Sequence, residues 1–320
     1  MLPAFPLPQF DDVLDAAARI AAHARVTPVL RSAALDRLAG CSLAFKLECL
    51  QRGGAFKFRG ACNAVFSLAP EAAARGVVTH SSGNHGGALA LAARLRAIPC
   101  HVVVPEGAAA TKLARIVGQG AVLHRCAPTQ AAREAACQAV QAATGATMVH
   151  PYADPAVIAG QGTAALELLG EAPDLDVVVV PVGGGGLASG TAIALAGLAP
   201  RVELVLAEPA GAADTLLSLE AGERRSLAPD TICDGLRAML GEPNFRILQA
   251  HRAQVVAVED AATIAAMRHL LARARLLVET SSALALAAVL AQPARFAGRR
   301  VGIVLTGGNA DPDHLPWAGP

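Results

Sequence analysis

The sequence predicts an α/β fold with largely parallel sheets, and three observations predict it. Short apolar, β-branched runs alternate with longer alanine-rich stretches along the whole chain, the pattern of strand–helix–strand units. Hydrophobic residues make up 53% of the 320 residues and charged residues only 17%, enough apolar material for one large domain or two ordinary ones. Aromatic residues are 3%, so the core is expected to be mostly alanine, valine and leucine.

In chain order, the alanine-rich stretch at 10–23 predicts a helix, and the short run at 43–47 a strand. A helix over 58–68 follows, then strand 76–79, helix 86–95, strand 100–104, helix 108–117, strand 121–124 and helix 129–144. The second half predicts helix 160–169, strand 177–182, helix 187–198, strand 203–207, strand 255–258, helix 261–274, helix 282–291 and strand 301–305. The stretch 177–200 has no charged residue over 24 positions, long enough for a membrane helix. It opens with four valines and breaks at four consecutive glycines, so it predicts a buried strand, a loop and a small-residue helix instead. No repeat, coiled coil or low-complexity linker interrupts this order, and 312–320 predicts a short tail.

Composition excludes several function classes. A formal net charge of +1 gives no electrostatic footprint for nucleic acid and no basic block for a membrane surface. The seven cysteines include no C-x-x-C pair, so neither a zinc site nor a dithiol motif is signalled. Reduced, mostly buried thiols in a cytoplasmic protein are expected. Residues 1–10 carry three prolines and no positive charge, unlike a signal peptide.

In parallel α/β folds, ligands bind beyond the carboxyl ends of strands, so glycine-rich loops after strands hold the candidate chemistry. Gly183-Gly184-Gly185-Gly186, between a strand and a helix, lets backbone N–H groups converge at a helix N-terminus, which suits phosphate. It lacks the Lys-Ser/Thr ending of a P-loop. A dinucleotide site is the rival: Gly183, Gly185 and Ala188 fit G-x-G-x-x-A, and Glu208 ends the next strand where a ribose-binding acid would stand. Ser81-Ser82-Gly83-Asn84-His85-Gly86 offers hydroxyls, an amide, an imidazole and free N–H groups, a set suited to a carboxylate; the plainer alternative is a helix cap. Thr306, before two glycines, is placed to hydrogen-bond a ring nitrogen or to cap a turn.

Lys57, between Phe56 and Phe58, is either a lysine snorkelling over aromatic surface or a sheltered amine of lowered pKa able to form a Schiff base. A phosphate cradle, a carboxylate loop and such a lysine together imply a phosphorylated aldehyde that captures an amino acid, which describes pyridoxal 5'-phosphate (PLP).

These stretches, with His150-Pro151-Tyr152, 156–163 and Thr306-Gly307-Gly308-Asn309 in this order, resemble the serine/threonine dehydratase and serine racemase family of PLP enzymes, of fold type II. The resemblance runs from about 10 to 311. It implies two domains, 1–70 with 149–320 and 71–148, with PLP in the cleft between them. It implies that Lys57 holds the cofactor, Phe56 packs near its ring, Asn84 bonds the ring hydroxyl, Gly183, Gly184, Gly185 and Gly186 bind the phosphate, and Thr306 faces the pyridine nitrogen. Ser82, Gly83, Asn84 and His85 would receive the substrate carboxylate, and Ser82 would serve as a second acid/base opposite Lys57. Glu208, the Ala212 carbonyl and Asp214 match a divalent-metal site for Mg²⁺, Ca²⁺ or Mn²⁺, a role for Glu208 different from ribose binding. The implied activity is β-elimination from serine, threonine or 3-hydroxyaspartate to a 2-oxo acid and ammonia, with amino-acid racemisation as the alternative. An NAD(P)-dependent oxidoreductase and a non-catalytic amino-acid sensor are more distant ones. A homodimer is the family expectation. Departures are Ala55 where serine is usual, Gly87 where glutamine is common, and Tyr152 at a variable position near the substrate.

Overall fold

The computed structural model describes residues 6–317. In chain order the helices are α1 (Phe10–Ile20), α2 (Ala33–Ala39), α3 (Lys57–Phe66), α4 (Pro70–Arg75), α5 (Asn84–Arg96), α6 (Ala110–Val117), α7 (Gln130–Thr144), α8 (Pro155–Glu171), α9 (Gly186–Leu198), α10 (Asp214–Ala221), α11 (Glu242–Ala250), α12 (Asp260–Ala274), α13 (Thr280–Ala291) and α14 (Pro293–Phe296). The strands are β1 (Val29–Leu30), β2 (Ser42–Lys46), β3 (Val77–His80), β4 (Cys100–Pro105), β5 (Val122–Cys126), β6 (Thr147–Met148), β7 (Val177–Pro181), β8 (Glu203–Pro209), β9 (Gln254–Val258) and β10 (Arg300–Val304). A six-stranded sheet runs β1-β2-β10-β7-β8-β9 and a four-stranded sheet β5-β4-β3-β6. Only the β1–β2 pair is antiparallel. The α/β architecture with helices flanking both sheets is the predicted one.

All eight predicted strands occur within two residues of their expected ends. Strand β7 is buried along its whole length, which is why it reads as an unbroken valine run: parallel sheets covered on both faces select apolar residues on both. Val178 and Val180 pack with residues of α8 and α9, whereas Val177 and Val179 pack with α12 and α13, the alternation that a pleated strand imposes. The uncharged stretch 177–200 is β7, the glycine loop and α9, and no described helix is long and apolar enough to cross a membrane. All seven cysteines are unpaired, five of them buried.

The sequence periodicity passed over β1, β6, α2, α4, α10, α11 and α14. Strands β1 and β6 are two residues long, too short for any alternation, and exist only through pairing with β2 and β3. Helix α2 carries its signals in its caps: Ser32 accepts from the Leu35 N–H and Gly40 adopts φ 68° at the C-terminus. Helix α8 starts at Pro155 rather than at 160, because the Asp154 side chain accepts the Ala156 and Val157 N–H groups and Pro155 occupies the first turn. Helix α1 ends at Ile20 rather than 23.

Helix α3 packs on α5 and on α8, linking the elements around the two sheets. The loops after β3, β7, β8 and β10 emerge at carboxyl ends of parallel strands and carry nearly all the predicted site residues.

Candidate active site

The Lys57 segment is pinned to the loop after β10. The Phe56 N–H donates to the Thr306 carbonyl at 3.0 Å, and Ala55 bridges Gly307 in antiparallel fashion. Lys57 opens α3, and its Nζ donates to the Pro151 carbonyl at 2.9 Å, 5.1 Å from the centre of the Phe56 ring. Phe58 is fully buried and packs with Ala61, Val77 and Leu89. The expectation of an amine sheltered by both phenylalanines is therefore half right. Residues two apart on a helix point to nearly opposite sides, so only Phe56 faces the amine. Burial lowers the Lys57 pKa to about 8, against the opposing charge of Glu279.

Gly183 to Gly186 are all buried. Among the described residues, their four N–H groups meet no backbone or side-chain acceptor, and they gather at the N-terminus of α9. Unpaired buried N–H groups are rare, and at a helix N-terminus they form an anion site. The loop must be glycine for a second reason. A Cβ on Gly184 would come within 2.4 Å of the Tyr152 ring and one on Gly183 within 2.9 Å of Leu236 Cα, while Gly185 has φ +92°. Tyr152 thus packs against the glycine loop. Its ring meets that of His150 edge-on at 4.5 Å, and His150 meets His80 at 5.4 Å.

Strand β3 delivers the Ser81–His85 turn. The Gly83 N–H donates to Ser81 Oγ at 3.3 Å, and Ser82, Gly83 and Asn84 are partly exposed. Asn84 Nδ2 lies 3.0 and 2.9 Å from the two carboxylate oxygens of Glu279. Asn84 Oδ1 accepts from Asn309 Nδ2 at 2.8 Å. His85 is 2% exposed, with neither ring nitrogen hydrogen-bonded to another side chain. Burial, then the charge of Lys57, pushes its pKa well below the usual value. Burial likewise brings His150 to about 3, helped by His80 and Lys57, so the imidazoles beside Lys57 are neutral. Thr306 is 4% exposed.

Two charged residues that the sequence did not single out lie near these segments. Glu279, raised to about 7 by burial, joins the Asn84 and Gly307 segments. Its only sequence signal is an acid at the start of an alanine-rich helix, which reads as a cap. Arg133 of α7 lies close enough to His80 to lower its pKa after burial has done so, and its Nε is buried without a partner. A lone arginine on an amphipathic helix gives no such warning.

The predicted metal ligands fall in one stretch, with Glu208 in β8, Ala212 in the following turn and Asp214 opening α10. Among the described residues, no cluster of three His, Cys, Asp or Glu side chains forms a metal site. The Glu208 oxygens accept the Thr215 and Leu216 N–H groups at 2.8 and 2.9 Å, and Asp214 accepts that of Leu240 at 2.7 Å. Burial first, with Asp214 adding to it, raises Glu208 to about 7. Burial also raises Asp214, and two buried acids with a carbonyl between them form a hard-oxygen set that fits a divalent cation.

Residues 20–307 match the family described as pyridoxal-phosphate dependent enzyme. The chain is 46% identical over 312 residues to the β-hydroxyaspartate dehydratase of Paracoccus denitrificans, covering 97% of this chain and 99% of that one. It is 45% identical over 299 residues to a serine racemase of Arabidopsis thaliana, covering 92% and 90%. The crystal structure of serine racemase from Dictyostelium discoideum superposes with a TM-score of 0.92 at 43% identity, covering 95% of this chain and 99% of that one. The free N–H cradle, the lysine of lowered pKa and these likenesses agree: the chain belongs to the pyridoxal-phosphate dependent enzyme family.

Proposed function

We propose that the chain catalyses PLP-dependent β-elimination from a β-hydroxy amino acid, releasing a 2-oxo acid and ammonia. The observation that carries this is the row of buried, unpartnered N–H groups at Gly183 to Gly186 in the fold whose loops also hold Lys57. When bound, PLP supplies an electron sink for the pair left at the substrate Cα. Lys57 would hold its aldehyde carbon, the four glycines its phosphate, and Asn84 its ring hydroxyl, with Phe56 against the ring and Thr306 toward the pyridine nitrogen. Thr306 offers a neutral hydroxyl, which would hold no proton there as a carboxylate would, a setting suited to prompt loss of the β-hydroxyl.

Ser82, Gly83, Asn84 and His85 hold the substrate carboxylate. Lys57, once freed from the cofactor, would take the α-proton. It must be neutral to do so, and its lowered pKa serves that step. The leaving hydroxyl departs as water, and water returns at Cα as ammonia leaves, so water balances overall. Ser82, on the opposite face, is proposed as the group that returns a proton when the product is the enantiomer instead. The 45% identity to a serine racemase supports racemisation as the second activity.

Within the β-hydroxy amino acids, 3-hydroxyaspartate is the proposed preferred substrate. Its second carboxylate needs a cation, and Arg133 supplies one beside His80 with Nε unpaired; the hydroxyaspartate dehydratase relative supports the choice. Glu208, the Ala212 carbonyl and Asp214 are proposed to hold Mg²⁺, Ca²⁺ or Mn²⁺. We also propose a cytoplasmic homodimer in which 1–70 with 149–320 and 71–148 act as two domains.

A product screen tests these assignments: L- and D-serine, L-threonine and 3-hydroxyaspartate, with Mg²⁺ and with chelator. 3-Hydroxyaspartate is expected to give the most 2-oxo acid, and Arg133→Ala to raise KM for it while sparing that for L-serine. No 2-oxo acid from any substrate removes the lyase assignment.

A further inference from the structure

Glu279 takes no part in the chemistry above, yet it is the most connected acid in the cleft. Its N–H donates to the Gly307 carbonyl at 3.0 Å, one residue after Thr306. Its carboxylate lies against Gly307, where a Cβ would stand 2.5 Å from Glu279 Oε1, so any side chain at 307 would push the carboxylate from its place. Both of its oxygens then face Asn84 Nδ2. Seen from that nitrogen, the two oxygens of one carboxylate subtend far less than the angle between its two N–H bonds, so one N–H serves Glu279 and the other stays free.

The orientation of the Asn84 amide is unique. Asn84 Oδ1 accepts from Asn309 Nδ2, which also donates to the Gly53 carbonyl at 2.9 Å. A flipped amide would set oxygen against the Glu279 carboxylate and N–H against N–H at Asn309. Glu279 on α13 and Asn309 after β10 therefore grip the first residue of α5 from the other sheet's loops.

We propose that Glu279 is a positioning residue for the cofactor: with Asn309 it locks the Asn84 carboxamide so that its one free N–H is presented to the cofactor ring, while its charge faces Lys57. The proposal rests on the PLP assignment. Charged and titratable groups around the pair are Lys57, Lys112, Asp234, Cys49, His85 and His150. Of these, Lys57 is the one that must change charge to capture the cofactor. Glu279 raises the Lys57 pKa against the larger effect of burial, so its removal lowers it.

The test uses the full chain, stripped of PLP by dialysis and retitrated with PLP across pH. Wild type is expected to bind PLP with a visible absorbance; if it takes up none, the cofactor assignment fails rather than this one. Glu279→Gln keeps an acceptor for Asn84 but loses the charge; it should bind PLP about tenfold more weakly, the difference between a charged and a neutral hydrogen-bond acceptor, and capture it with a midpoint at lower pH. Asn309→Ala should weaken binding in the same direction but less. Asn84→Asp should lose both fold stability and PLP affinity. Adding Glu279→Gln to it swaps the amide and carboxylate, and should restore the melting temperature but not the affinity, because the free N–H is gone. A Glu279→Gln protein with unchanged PLP affinity and midpoint, or a double variant that regains affinity, would overturn the proposal, and the residue would be structural only.

Discussion

Two buried polar regions lie two residues apart on α3, and they are built in opposite ways. Around Arg59 every donor is used. Its Nε and Nη2 donate to Glu48 at 2.7 and 2.8 Å, Nη1 and Nη2 to Glu167 at 2.7 Å each, Nη1 to Thr163 at 3.2 Å and Nη2 to the Arg25 carbonyl at 3.2 Å. Lys46 adds a 2.5 Å ion pair to Glu167. Burial opposes the Arg59 charge, but Glu48 and Glu167 overcome it and hold its pKa above the usual value. Around Lys57 the reverse holds: among the described residues the four glycine N–H groups have no protein partner, neither nitrogen of His85 meets another side chain, and burial weakens the lysine's charge. Polar groups that satisfy one another hold the fold together; polar groups left unsatisfied are kept for a ligand. The same pentapeptide, Phe56-Lys57-Phe58-Arg59-Gly60, contributes to both.

The contrast is broken most directly at the two basic residues. Lys57→Ala should cost at least about a thousandfold in turnover and remove the visible absorbance of the purified protein, with no loss of denaturant stability, since it removes a poorly solvated amine. Normal dehydratase activity in that variant would sink the assignment. Arg59→Met should do the converse, costing about 3–5 kcal/mol in a urea titration because the buried Glu48 and the half-buried Glu167 lose their main partner. Next in size is Gly185→Ala, at φ +92° with a Cβ 2.7 Å from that of Asn244. It should cost about 1–3 kcal/mol of stability and weaken PLP binding in the same titration.

The smallest expected effect is on pH dependence, and its sign differs between the regions. Glu279 is raised by burial from 4.5 to about 7. The folded chain therefore holds more protons than the unfolded one in that window, and PLP-free protein should lose stability as pH rises through it. Lys57 is lowered from 10.5 to about 8, so stability should recover as pH rises from 8 towards 10.5. Glu167 works the other way: burial raises it, but Arg59 and Lys46 outweigh that and hold it below its usual value. Its contribution is present above the unfolded pKa and is lost as pH falls through the folded one. Thermal midpoints across pH should show the first fall flattened in Glu279→Gln and the acid-side loss untouched.

Much of the candidate site was legible because the segments that compose it are local. The glycine run, the Ser81–Gly86 turn and Lys57 each occupy a short stretch, and a backbone N–H cradle needs no side chain from elsewhere. Glu279, Arg133 and Asn309 were not legible, since an acid at a helix start, an arginine on an amphipathic helix and an asparagine after two glycines each have commoner explanations. The contact of Tyr152 was not legible for the same reason: nothing in His150-Pro151-Tyr152 says that its ring lies against Gly184, 32 positions along the chain.

The sequence by itself determined the strand–helix order, the parallel sheets and the loops that carry the chemistry, because burial on both faces writes itself as runs of valine and backbone geometry writes itself as glycine. The tertiary structure alone decided which polar groups are satisfied. Whether a buried amine, amide or N–H has a partner depends on atoms brought from distant segments, as Asn84 meets Glu279 across 195 positions. That pairing settles which groups build the protein and which remain for its cofactor.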